Sequence, residues 1–219
     1  MSILTPDHEL LADLESIIDE VNADYLNYLK HNNDEDNIEY LAELLNERST
    51  DLRIDLKWFV DMEPRLNPME WVSAMAGRTI SKDFIEVYLW NWNLDGAWGP
   101  ETFKEIVLGM FKHEAIHFAQ YDRINPTKFE QITSGHQKGQ GLGEVGYMRS
   151  YLSDPHELMA YGHDLAADIK ASNNPEKSLR SPEAFIEELP VYEQYRRFFE
   201  PNENQIKRLL SYAARYTYV

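Results

Sequence analysis

Residues 111–122 read FKHEAIHFAQYD, and three polar side chains within that stretch restrict the fold more than any other feature of the chain. At about 100° per residue, Phe103, Ile106, Val107, Met110, Phe118 and Tyr121 line one side of a helix from about residue 100 to residue 122, with Pro100 at its first position. His113, Glu114 and His117 fall on that same side, whereas Lys104, Glu105, Lys112 and Asp122 lie elsewhere. A carboxylate and two imidazoles that face inward need partners inside the body. The helix must therefore pack against elements that supply them.

Histidines at i and i+4 project from adjacent turns, so both rings can reach one Zn2+ at about 2.0–2.1 Å, and the glutamate between them can address water on that ion. The pattern is H-E-x-x-H. Its competing reading is a pair of satisfied structural histidines. A catalytic zinc needs a third protein ligand, and with no cysteine in the chain that ligand must be His, Asp or Glu. The residue six beyond His117 is Arg123 rather than a third histidine. Asp122 points roughly 140° away from His117.

The stretch YLSDPHELMAYG offers Glu157 near the start of a later helix, followed by Ala160, whose small side chain permits a close approach to the first helix. Glu157 has an alternative role, because Asp154 and Glu157 have the spacing of a capping box, in which the glutamate folds back on the N-cap amide. His163 lies about 120° from Glu157 around its helix and is not expected to share its site. His136, in the glycine-rich stretch SGHQKGQGLGEVG, is the reserve candidate as an exchangeable ligand or oxyanion donor. Tyr147, Tyr151 and Tyr161 could polarise a carbonyl, although among 13 tyrosines packing is the simpler role for each.

HEAIHFAQ followed by PHELMA at 155–160 resembles the gluzincin class of zinc metallopeptidases, and more narrowly small zincin-like peptidases of bacteria and phages. The resemblance spans residues 83–168 and is specific at these motifs. It implies a metallopeptidase in which His113, His117 and Glu157 hold Zn2+, Glu114 is the general base, and a peptide or protein is the substrate. The segment DFIEVYLWN would then be an edge strand able to align an extended peptide. The glycine-rich connection would be a candidate lid.

Elsewhere the hydrophobic period places a long helix near 6–30 and a shorter one from Ile38 to before Ser49, paired as an antiparallel hairpin. From residue 51 the spacing becomes that of strands, in DLRIDLKWFV, EWVSAMAGRTI and DFIEVYLWNW. Residues 123–153 read as a loop, a further helix follows Asp154, and one or two more end the chain. The expected fold class is α+β, a mainly helical zincin-like domain with a small antiparallel sheet packed on the H-E-x-x-H helix. One domain over 1–219 is expected, with an acidic helical hairpin at 1–48, the sheet and metal-site core at 51–170, and C-terminal helices at 175–219.

The net charge of −17 argues against direct binding to nucleic-acid phosphates or an anionic membrane. Residues 1–48 hold 13 acidic and 2 basic side chains, and so carry 11 of those negative charges. A solvated face is the simple explanation. The competing functional reading is an acidic binding or inhibitor protein on a zincin-like scaffold, docking a basic partner through 1–48. No basic leader or long apolar run is present, and a cytoplasmic location is expected.

Overall fold

The computed structural model describes residues 8–31, 38–60, 75–81, 84–89, 99–121 and 143–218. Two compact units divide the chain, Pro6–Ala119 and Gln120–Val219.

In the first unit, α1 (His8–His31) buries Leu10, Leu14, Ile18, Val21, Tyr25 and Leu29 at helical spacing, and α2 (Ile38–Arg48) buries Leu41, Ala42, Leu44 and Leu45. The Tyr40 ring meets Tyr28 at 4.2 Å between centroids, while Arg48 reaches back to Asp24 at 2.8 Å. The start of α2 therefore lies beside the end of α1, and the pair is the antiparallel hairpin that the periodicity predicts.

A single 3-10 turn, Ser49–Asp51, leads into a three-stranded sheet of β1 (Asp55–Val60), β2 (Met75–Ser81) and β3 (Phe84–Leu89), in the order β1-β3-β2. The sheet is mixed, which corrects the expected antiparallel arrangement. β2 and β3 are antiparallel because only residues 82–83 separate them, but β1 pairs with β3 in parallel. Parallel neighbours need a long crossover, and residues 61–74 between β1 and β2 are long enough for the chain to place β1 on the far side of β3.

A second correction follows. Phe84–Leu89, expected at an edge, is the central strand, and its backbone is committed on both sides. The β1 edge is occupied at its middle, where Asn46 accepts from the Trp58 amide at 3.0 Å and donates to the Trp58 carbonyl at 2.7 Å. One side-chain amide thus stands in for a neighbouring strand.

Leu56, Trp58, Ile85, Val87 and Leu89 from the sheet share a core with Phe103, Val107 and Phe111 of α3 (Pro100–Tyr121) and with the buried faces of α1 and α2. Asn22 of α1 donates to the Pro100 carbonyl at 3.2 Å, and Lys104 pairs with Glu15 at 2.9 Å and Asp19 at 2.8 Å. These two carboxylates, by hydrogen bonding above all, hold the Lys104 ammonium well above its ordinary pKa. Part of the acidic surface of α1 and α2 is therefore matched within the chain itself, at Lys104 and Arg48.

In the second unit, the glycine-rich region is not wholly irregular. Residues 122–142 lie outside the described residues, but α4 (Gly143–Leu152) is helical where a loop was expected. Gly143 begins it at φ +71°, a conformation that glycine adopts without strain. Burial of Met148 and Leu152, one turn apart, outweighs the roughly 1 kcal/mol that Gly146 costs inside a helix.

Next comes α5 (Pro155–Ala171), which buries Leu158, Ala160, Leu165, Ala166 and Ile169. Prolines at 175, 182 and 190 each open a new short element. These are α6 (Pro175–Arg180), a 3-10 segment (Pro182–Glu188) and α7 (Pro190–Arg196), giving more pieces than the one or two helices expected. α8 (Asn204–Thr217) closes the unit and packs on α5. Arg149 of α4 pairs with Glu203 at 2.7 Å and lies over the Phe199 ring at 4.7 Å, anchoring the start of α8. That hydrogen-bonded guanidinium holds the Glu203 carboxyl below its usual range.

No helix among the described residues is long and apolar enough to cross a membrane.

Candidate metal centre

α3 starts at Pro100, whose missing N–H is no loss in a first turn, and the Gly99 carbonyl accepts from Phe103 at 3.0 Å. Further along, residues 114–117 are all buried, including Glu114 and His117, and His113 is half-buried. The two imidazoles turn towards each other, with ring centroids 5.0 Å apart and Nε2 atoms 3.3 Å apart. That separation is informative. Two bonds of about 2.0–2.1 Å at a tetrahedral angle span about 3.3–3.4 Å between ligand atoms, so the pair already has the bite of a single ion.

Glu157 is the third residue of α5, and it is buried with 7% of its surface exposed. An acidic side chain is favourable in a first turn, where unpaired backbone N–H groups carry partial positive charge. One ligand atom from each of His113, His117 and Glu157 lies within 4.8 Å of the others. Two nitrogen donors and one carboxylate oxygen, without thiolate, suit a borderline ion such as Zn2+. The three side chains could together hold a metal ion.

The capping-box alternative for Glu157 does not describe this helix start. Asp154 caps α5 by accepting from the His156 amide at 2.7 Å, and the Asp154 amide donates to Tyr151 O at 3.0 Å. The amide that a capping box would tie to Glu157 is thus held by the preceding helix.

No protein-family model, curated protein or solved structure matches this chain. What the site can do therefore rests on its own side chains.

The remaining sequence candidates are not members of the triad or lie outside the described residues. His163 packs edge-on against Tyr216 at 5.2 Å and sits 3.4 Å from Asp164, away from Glu157 as the helical wheel predicts. His136, Asp122 and Arg123 lie outside the described residues. Tyr147 is half-buried on α4. Tyr151 and Tyr161 bring their hydroxyls to 3.5 Å, and Tyr161 meets the fully buried Tyr195 edge-on at 5.6 Å. Burial pushes the Tyr195 hydroxyl well above its ordinary pKa, and Tyr161, Glu157, Asp164 and Asp154 reinforce the shift electrostatically. Tyr195 therefore stays neutral.

Gln120, buried to 2% exposure, is the residue that sequence reasoning passed over. It sits three residues after His117, and a polar side chain one turn beyond a histidine on an inward face was the available signal. Tyr195 carried no such signal, being one of 13 tyrosines and remote from the motif.

Proposed function

We propose that the protein is a zinc-dependent metallopeptidase. The observation that carries this reading is the convergence of the buried Glu157 carboxylate on the His113–His117 pair, with Glu114 retained between the histidines. In this reading His113, His117 and Glu157 hold the metal. A bound zinc would supply a Lewis acid and a water of lowered pKa. Glu114 would be the carboxylate that takes up a proton from the attacking water and returns it to the leaving amine. The buried, neutral Tyr195, which interacts electrostatically with Glu157, belongs to a low-dielectric surround in which the carboxylate's pull is stronger than in water.

A peptide or protein is the substrate under this proposal. Among the described residues β3 is central and the middle of β1 is held by Asn46, so the β2 edge is the candidate place for strand addition. Metal analysis of protein purified without chelator, together with digestion of a peptide library, tests the reading. About one zinc per chain and chelator-sensitive cleavage are expected. Absence of metal, with no uptake on titration with Zn2+, would overturn it.

A further inference from the structure

Gln120 makes a two-point clamp on the residue immediately before Glu157. Its Nε2 donates to the His156 carbonyl at 3.1 Å, and its Oε1 lies 3.0 Å from His156 Nδ1. A carbonyl can only accept, so the amide must turn its NH2 towards that oxygen, which leaves Oε1 to accept from Nδ1–H of His156. Both ends of the side chain are thus specified, inside a buried site where a misplaced polar group would be costly.

All three residues, Gln120, His156 and Glu157, belong to the Gln120–Val219 unit. Gln120 is also the twenty-first residue of α3, one turn beyond His117 on a continuous helix. We infer that Gln120 is a positioning residue for the carboxylate ligand. It holds the first turn of α5 by backbone and ring of residue 156, and thereby fixes where the Glu157 carboxylate stands. Asp154 acts on the same turn from the other side by binding the His156 amide. His156 is gripped at its amide, its carbonyl and its ring, and the side chain that follows has little freedom to move away. Outer groups that orient a metal ligand in this way typically change affinity by about 10- to 100-fold when removed.

This inference rests on the metal-site reading, and its test is built to fail separately from it. Zn2+ affinity is measured by competition with a chromophoric chelator for the wild type, Gln120→Leu, Glu157→Gln and the double variant, with thermal unfolding alongside. The expected result is one site in the wild type and a loss of about 10- to 100-fold in folded Gln120→Leu. Glu157→Gln should also weaken binding by a smaller factor in the Gln120→Leu background than in the wild type. Such coupling is the signature of one residue acting through another, and a merely structural role of Gln120 would leave the two losses multiplicative. Unchanged affinity in Gln120→Leu, or losses that simply multiply, would overturn the inference and leave the metal site standing. A wild type that takes up no Zn2+ would overturn the site itself. If Gln120→Leu does not fold, the same cycle is run with His156→Ala, which keeps the amide-to-carbonyl bond and loses only the ring bond. A smaller, still coupled loss is then expected, and uncoupled losses would again sink the proposal.

Discussion

Asp154 and Glu157 have the spacing of a capping box and do not form one. Asp154 accepts from the amide of His156, and its own amide donates to Tyr151 O, so the amide that a capping box would tie to Glu157 is already held elsewhere. The two acids should therefore separate cleanly on mutation. Asp154→Ala is expected to lower stability by about 1 kcal/mol and to weaken Zn2+ binding far less than Glu157→Ala, because the Gln120 bonds to His156 remain. Glu157→Ala should abolish tight Zn2+ binding. Equilibrium unfolding and metal titration of both variants check this, and intact affinity in Glu157→Ala would remove it from the ligand set.

Glu114 separates holding a metal from using it. Glu114→Gln preserves size and hydrogen-bonding capacity but cannot accept a proton, so cleavage should fall by about 100-fold or more at unchanged zinc content. Turnover of a peptide substrate by the metal-loaded variant gives the answer. Undiminished turnover would exclude Glu114 as the base.

Gly162 of α5 lies close against Tyr212 of α8. A Cβ at this position would stand 2.3 Å from the Tyr212 Cβ, which is attached directly to the α8 backbone and cannot swing aside. Gly162→Ala should therefore destabilise the protein by about 1–3 kcal/mol or more through overpacking, despite alanine's better helix propensity. Denaturant unfolding is the measurement, and a stabilised variant would contradict the packing described for α5 and α8.

Asp168 should leave a signature in the pH dependence of stability. Burial raises its pKa from 3.8 to about 6, with Asp164 adding to the shift and the hydrogen bond from the Val191 amide, 3.0 Å long, opposing it. The folded state thus keeps this proton to higher pH than the unfolded chain does. Its contribution is most favourable below about pH 4 and declines as pH rises to about 6, after which it is constant. Asp168→Asn can still accept from Val191 and does not titrate. Its stability relative to wild type should rise between pH 4 and 6 and then level off, as thermal unfolding across that range would show. A constant difference would mean that Asp168 titrates normally.

Helices whose faces repeat at i, i+3 and i+4 were legible from the residues alone. α1, α2 and α3 lie where their apolar spacing puts them, and the Nε2 atoms of His113 and His117 converge because a helix places them so whatever surrounds it. Glu157 was legible as a candidate for a related reason, since Asp154 and Pro155 announce a helix start and two inward histidines need a third donor. Its choice between cap and ligand was not, because that depended on where the Asp154 amide finds an acceptor, and Tyr151 belongs to a helix that the glycines had concealed. Strand spacing identified β1, β2 and β3 but could not order them. Alternation states which face is buried and says nothing about which neighbour is paired, so the central position of β3 and the parallel β1–β3 ladder came only with the folded sheet. Gln120 and Gly162 belong to the same class. Each acquires its role from a partner 36 or about 50 residues away, and contacts at such separations depend on how packed elements meet rather than on any local pattern.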